Sequence, residues 1–196
     1  APPPIVDDVM LDRIEQTILR PVIDAMAAAG SPMQGVLYAG LIITDEGPKV
    51  IEFNCRFGDP EIQIILPLLE SDLYPLLHAT ADGTLASMAP PQWRHAVAVG
   101  VVMASGGYPG SYQTGSPITD AGTVESSELF FAGASLSASG DLLTSGGRVL
   151  TCVGVGDSFT AARDRAYQRV SQVSFSRAEY RKDIAEREVT APTLPA

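Results

Sequence analysis

Glu52, Asn54 and Arg56 fall at every second position of the stretch Val50-Ile51-Glu52-Phe53-Asn54-Cys55-Arg56-Phe57-Gly58-Asp59-Pro60-Glu61. Successive side chains of a β-strand point to opposite faces, so Val50, Glu52 and Asn54 share one face, with Glu52 and Asn54 about 7 Å apart at Cα. Both carry hard oxygen ligands. A carboxylate and an amide oxygen side by side on a strand can share one or two Mg²⁺ ions, which keep waters and phosphate oxygens as further ligands. Arg56 follows where the strand ends, and a guanidinium there can hold a phosphate oxygen as charge passes to a leaving group. The same residues also read as the polar edge of a solvent-facing strand, with Arg56 paired to Glu52. Asp59-Pro60 reads as the N-cap and first residue of a helix, and a helix N-terminus is itself an anion site. Spacing alone allows a metal–phosphate site without requiring one.

The elements that must position these residues follow from local patterning. Asp7 or Asp8 can cap a helix whose apolar positions Met10, Ile14 and Ile18 recur at helical spacing, joined by Leu11, Val22 and Met26. Pro21 should kink or interrupt it, and Gly30-Ser31-Pro32 should end it. Two strands over 35–43 and 49–54, joined through Thr44-Asp45-Glu46-Gly47-Pro48, read as a hairpin. A helix is expected from Pro60, bent or ended at Pro67, and another over 72–81, ended by Gly83. Ala89-Pro90-Pro91 is the candidate linker. Beyond it, 96–103 and 148–155 read as strands. Asp157 or Ser158 caps a helix with Ala162, Ala166, Val170 and Val173 along one side. Val153-Gly154-Val155-Gly156-Asp157 lacks the third glycine of a dinucleotide loop and reads as strand, turn and cap. The tail after Glu188 reads as loose.

Composition sets the outer limits. Of 196 residues, 45% are hydrophobic and 18% charged, a composition that folds. The formal net charge of -10 argues against nucleic acid as a partner. No apolar run approaches the about 20 residues needed to cross a membrane, and no signal peptide is legible. Cys55 and Cys152 stand far apart outside any CxxC pair, which fits a reducing compartment; the expected localisation is cytoplasmic. His78 and His95 have no metal-ligand spacing to a second His or Cys.

The longer string is more specific than its parts. VLYAGLII followed by KVIEFNCRFGDPE resembles the catalytic core of the phosphoribosylamine–glycine ligases, ATP-grasp enzymes of purine biosynthesis. The resemblance continues through Gly100-Val101-Val102-Met103-Ala104-Ser105-Gly106-Gly107-Tyr108-Pro109-Gly110, then Gly146-Gly147-Arg148-Val149-Leu150, Ala166-Tyr167 and Arg181-Lys182-Asp183-Ile184. It implies that Glu52 and Asn54 are ligands of Mg²⁺ or Mn²⁺ and that Arg56 works beside the ATP phosphates. It implies that Phe57, Gly58, Asp59, Pro60 and Glu61 form a loop at the acyl-phosphate and amine substrates. It also implies that Gly106, Gly107, Tyr108, Pro109 and Gly110 form a loop of the C-terminal domain facing the same cleft, although those five residues equally read as an ordinary Gly-Pro turn. Two departures stand out: Phe131-Ala132-Gly133-Ala134 replaces a common His-Ala-Gly-Thr, and Ala185 stands where the family commonly has Gly.

The expected fold is α+β: the C-terminal half of an ATP-grasp domain over 1–90, then a small β-rich C-terminal domain with a packed helix over 91–190, and a loose tail over 191–196. The implied reaction joins glycine to 5-phosphoribosylamine with ATP, through a glycyl phosphate. The resemblance covers only the C-terminal part of the family's chain, so the N-terminal part of the same enzyme, with its ATP lid, is an expected partner. Alternatives are another ATP-grasp carboxylate–amine ligase, or a non-catalytic half of a split enzyme.

Overall fold

The computed structural model describes residues 1–190; the expected loose tail over 191–196 lies outside the described residues. In chain order the elements are helices α1 (Asp8–Ile14) and α2 (Arg20–Ala28), strands β1 (Tyr38–Thr44) and β2 (Gly47–Asn54), and helices α3 (Ile62–Ile65) and α4 (Leu73–Asp82). Strands β3 (Val97–Ser105), β4 (Thr119–Asp120), β5 (Ser127–Phe131), β6 (Ala134–Leu136), β7 (Leu142–Thr144) and β8 (Arg148–Gly156) follow. Helix α5 (Phe159–Ser171), strands β9 (Val173–Ser174) and β10 (Ala178–Glu179), and helix α6 (Glu186–Thr190) complete the chain. The last of these is a correction: Val189 and Thr190, read as loose, are helical.

The chain divides into two compact units. The first, a hairpin unit, comprises Pro2–Glu61 and Leu69–Trp93. Asp7 caps α1, its side chain accepting from the Met10 backbone N–H. Helical structure runs on through a π-helical turn, Glu15–Leu19, into α2, with Pro21 in the first turn of α2. Pro21 has no N–H to donate and its ring crowds the carbonyl of residue i−4. The wider turn just before it accommodates the ring, so the helix is locally rewound and not broken. Ile14 and Ile18 are buried as the spacing predicts, whereas Leu11 and Met26 are exposed.

Strands β1 and β2 pair antiparallel, from Thr44↔Gly47 at the turn to Tyr38↔Asn54 at the open end, with a register shift between Gly40 and Leu41. Helix α1 grips the turn: Arg13 donates from Nη2 to the Glu46 carbonyl at 2.8 Å, its guanidinium lying over Gly47. A side chain at position 47 would meet that guanidinium, and its backbone φ of +113° suits glycine alone. Asp72 caps α4 and Gly83, in the left-handed conformation, closes it. Gln34 donates to the Thr80 and Ala81 carbonyls in the last turn of that helix, satisfying groups left without helical partners.

The second, a sheet unit, takes in Ala1, Ile62–Leu68 and, of the described residues, 94–190. Its four-stranded antiparallel sheet has the order β10-β3-β8-β5. Val99, Val101 and Met103 of β3 and Leu150 and Cys152 of β8 pack with Ala162, Ala166 and Val170 of α5. On the opposite face, Ala98 and Val153 pack with Leu68 and Ile64. Being covered on both faces, β3 and β8 read as continuous apolar runs instead of alternating ones. Ser158 caps α5, accepting from Ala161. Gly154 and Gly156 lie directly beneath its first turns, where a β-carbon would meet the backbone of Ala162. The two glycines therefore serve close helix–strand packing. Val173 lies beyond α5, in β9.

Helix α5 also ties down the Arg181–Ile184 segment. Arg163 donates to the Lys182 and Ile184 carbonyls, and the Tyr167 hydroxyl donates to the Arg181 carbonyl. The Arg163 guanidinium stacks 4.7 Å over the Tyr167 ring.

Candidate active site

The open end of the hairpin gathers most of the residues singled out from the sequence. Glu52 and Asn54 lie on one face of β2, and their head groups touch: the Asn54 amide donates to Glu52 Oε1 at 3.1 Å. Glu52 is exposed and Asn54 half-buried. This is an oxygen-bearing pair held at strand spacing, the donor set a hard divalent cation takes. Among the described residues no group of three or more His, Cys, Asp or Glu clusters tightly enough to hold a metal. Two oxygen donors at strand spacing fit an ion that keeps waters and phosphate oxygens in its remaining positions, as Mg²⁺ does. Val50, Ile51 and Phe53 are exposed, so burial does not distinguish the two faces of β2 here.

Tyr38 was not among the residues expected at the site. The register of β1 on β2 sets it opposite Asn54. Its hydroxyl donates to Glu61 Oε1 at 3.0 Å. Burial raises its phenol above the ordinary value, and so do the hydrogen bond to Glu61 and the negative charges of Glu61 and Glu52, while Arg56 opposes. The phenol therefore remains a donor throughout the neutral range. Glu52, Arg56 and Glu61 all act on one ring and so belong to one neighbourhood.

The loop from Arg56 to Glu61 turns back onto Tyr38. Arg56 is exposed and donates from Nη1 to the Phe57 carbonyl at 2.8 Å, not to Glu52 as the paired-strand reading has it. Phe57 is exposed, whereas Gly58 is buried beneath Glu61 and Tyr38. A β-carbon there would sit 2.9 Å from both Glu61 Cδ and Tyr38 Cε2. The Asp59–Pro60 peptide is cis, residues 59–61 form a turn, and the helix starts only at Ile62. Asp59 and Pro60 thus do not serve as N-cap and first residue of α3. Glu61 is taken up by Tyr38, and the helix begins after it. The following turns are short, α3 giving way to a 3₁₀ turn at Leu66–Leu68 that contains Pro67.

Gly106, Gly107, Tyr108, Pro109 and Gly110 form a turn in the sheet unit, following β3, with a cis Tyr108–Pro109 peptide. The turn is built on close backbone approach. A β-carbon on Gly106 would meet the Arg177 backbone at 2.7 Å, and Gly107 has a φ of +99°. Tyr108 lies against Gly147, and the Ser105 hydroxyl donates to the Gly146 carbonyl at 2.9 Å. Gly146 in turn packs on Gly133. The glycine-rich blocks of the sequence, separated along the chain, meet at this end of the sheet.

Residues 98–187 match a model of the phosphoribosylglycinamide synthetase C domain, and residues 1–62 match a model of the phosphoribosylglycinamide synthetase ATP-grasp (A) domain. The chain is 46% identical to a phosphoribosylamine–glycine ligase of Caldanaerobacter subterraneus subsp. tengcongensis, over 94% of this chain and 44% of that protein. It is 44% identical to the trifunctional purine biosynthetic protein adenosine-3 of Gallus gallus, over 96% of this chain and 19% of that protein. It superposes on a crystal structure of phosphoribosylamine–glycine ligase from Thermotoga maritima with a TM-score of 0.75 and 32% identity, covering 93% of this chain and 44% of that one. A biotin carboxylase domain of Hydrogenobacter thermophilus 2-oxoglutarate carboxylase, solved with MgADP, shares the fold at a TM-score of 0.59 and 13% identity. The chain thus spans less than half the length of these proteins, with a mixed helix-and-strand fold related to the ATP-grasp enzymes. Two models of one family account for its two ends, relatives of that family align along nearly all of it, and the chain belongs to the phosphoribosylglycinamide synthetase family.

Proposed function

We propose that this chain is the metal- and phosphate-handling part of a phosphoribosylamine–glycine ligase, comprising the C-terminal half of an ATP-grasp domain and a β-rich C-terminal domain with a packed helix. In the complete protein the reaction would join glycine to 5-phosphoribosylamine, giving glycinamide ribonucleotide, ADP and phosphate. The observation that carries this reading is the contact between Glu52 and Asn54 at the open end of the hairpin, with Arg56, Gly58 and Glu61 folded around the neighbouring Tyr38.

A carboxylate is a poor electrophile. In the first step an oxygen of the glycine carboxylate attacks the γ-phosphorus of ATP, the bond to the β–γ bridging oxygen breaks, and ADP leaves with the electron pair. In the second the phosphoribosylamine nitrogen attacks the glycyl carbonyl carbon, the carbon–oxygen bond to phosphate breaks, and the nitrogen gives up a proton. Glu52 and Asn54 would hold Mg²⁺, or Mn²⁺ in its place, which when bound neutralises phosphate charge. Arg56, exposed beside the pair, would hold a phosphoryl oxygen as charge develops on it. Phe57 to Glu61 would border the acyl phosphate and the amine. Gly106 to Gly110 would present backbone groups to substrate. Little covalent work falls to side chains; placement and electrostatics dominate.

The test is ADP release dependent on both glycine and phosphoribosylamine, measured on the chain joined to the N-terminal part that its relatives have. Glu52→Ala should lower turnover by about 100-fold or more, with the fold intact by circular dichroism. Unchanged turnover in that variant would sink the metal-site reading. Activity with another amine or carboxylate but not with glycine would favour a different ATP-grasp ligase.

A further inference from the structure

Nothing in the family motif explains why a buried glycine, a tyrosine from the opposite strand and a half-buried carboxylate should meet beside Glu52. Glu61 is held from two sides. The Tyr38 hydroxyl donates to Oε1 at 3.0 Å, and the bare α-carbon of Gly58 lies under the rest of the carboxyl group, with no room for a β-carbon. The hydrogen bond occupies one oxygen and fixes the plane of the group. A carboxylate whose plane is fixed offers acceptor lone pairs in set directions, suited to an amine or hydroxyl donor and not to an anion. Left on a turn without these contacts, the three rotatable bonds of a glutamate would spread it over several rotamers.

We propose that Tyr38 is a positioning residue that, with Gly58 beneath, holds the Glu61 carboxylate as the acceptor for the amino group of the nucleophilic substrate. The inference rests on the reading of the Glu52–Glu61 stretch as the active site. Tyr38 forms no bond with the reacting atoms. It acts through Glu61, so its effect appears on the amine substrate and not on ATP.

The experiment uses the complete ligase containing this chain. Tyr38→Phe removes one oxygen and leaves the ring packed on Gly58. It should lower kcat/KM for phosphoribosylamine about 10- to 100-fold, the range for groups that orient others at a site, leaving the KM for ATP unchanged. Introduced into a Glu61→Ala enzyme, the same change should cost nothing further, because the group it orients is already gone. Gly58→Ala provides a second route, since its methyl group would meet both the Glu61 carboxyl and the Tyr38 ring and push the two apart while keeping both polar groups; it should reproduce the loss in phosphoribosylamine kcat/KM. Wild-type kinetics in Tyr38→Phe would overturn the proposal. An equal loss with and without Glu61, or a parallel rise in the KM for ATP, would do the same. If Glu52→Ala stays fully active, the underlying site reading fails, and that outcome is separate from any result at Tyr38.

Discussion

Arg169 of α5 closes a two-pronged hydrogen bond on the carboxylate of Asp120 in β4, with Nη1 to Oδ1 and Nη2 to Oδ2 both at 2.6 Å. Arg169 is only 5% exposed, and its guanidinium also donates to the Gly122 carbonyl at 2.8 Å. A buried guanidinium without its carboxylate is an uncompensated charge, and breaking such pairs costs about 3–5 kcal/mol. The Asp120 side chain is 37% exposed, so solvent screening lowers the expected cost of Asp120→Ala to about 2–3 kcal/mol. Urea unfolding at neutral pH measures it.

The same pair predicts a pH dependence. The hydrogen bonds from Arg169, foremost, hold the Asp120 carboxyl below its ordinary value of 3.8, burial opposing. A depressed carboxylate stabilises the fold above its unfolded value and loses that contribution as pH falls through the folded value. The stability gap between wild type and Asp120→Asn should therefore be constant above about pH 5 and shrink progressively below pH 3.8. A gap that widens on acidification would contradict the assignment.

Ala185 occupies the left-handed region, with a φ of +57°. That conformation costs a residue with a β-carbon about 1–2 kcal/mol, while glycine loses about 0.5–1 kcal/mol more chain entropy on folding. Ala185→Gly should therefore stabilise the protein by about 0.5–1 kcal/mol, seen as a higher urea midpoint with an unchanged slope.

The two cysteines should behave oppositely. Cys152 is fully buried in β8 beside Met103, and burial pushes its thiol up to about 12. Cys55 is exposed at the end of β2. A thiol reagent at pH 8 should modify one cysteine rapidly in the native state and the second only on unfolding. Peptide mapping should find the first label on Cys55.

Gly154→Ala should cost about 2–3 kcal/mol, because the new methyl group meets the backbone of Ala162 and Ala166. Gly100→Ala should cost less. Its nearest neighbour is the Cγ2 methyl of Ile64 at 2.6 Å, a side-chain atom of a four-residue helix and not backbone. The difference in urea midpoint between the two variants checks the ranking.

The sequence displayed whatever is local. Asp7 or Asp8 and Asp157 or Ser158 announce helix starts because a short oxygen-bearing side chain before an apolar period does one job there; the structure uses Asp7 and Ser158, and also caps α4 with Asp72, which the sequence pattern places inside that helix. The hairpin followed from its turn residues, and Glu52 and Asn54 on one face followed from strand alternation. Tyr38 did not follow. Counting back from the Thr44↔Gly47 turn without a bulge would oppose it to Phe53; the shift between Gly40 and Leu41 moves it opposite Asn54. A one-residue slip changes which face a side chain joins, and no pattern marked the slip. Asp120 and Arg169 lie 49 positions apart, a pairing that only the closed fold creates. The helix expected at Pro60 failed for a related reason: Glu61 is claimed by Tyr38, 23 positions away, so the local cap signal was overridden.

The central pairing of the sheet unit also governs how it is built. Met103 and Cys152, 49 positions apart, touch across β3 and β8, and α5 packs on the strand pair they define. Neither strand has its main neighbour close in sequence, so a long loop must close before the core returns any free energy. Contact order of this kind places folding in a slower regime than that of helical bundles. The amides of β3 and β8 should be the last to exchange with deuterium, opening only with the whole unit. By contrast, lengthening the connection between β6 and β7 by a few residues should change stability only slightly, since closure entropy grows with the logarithm of loop length.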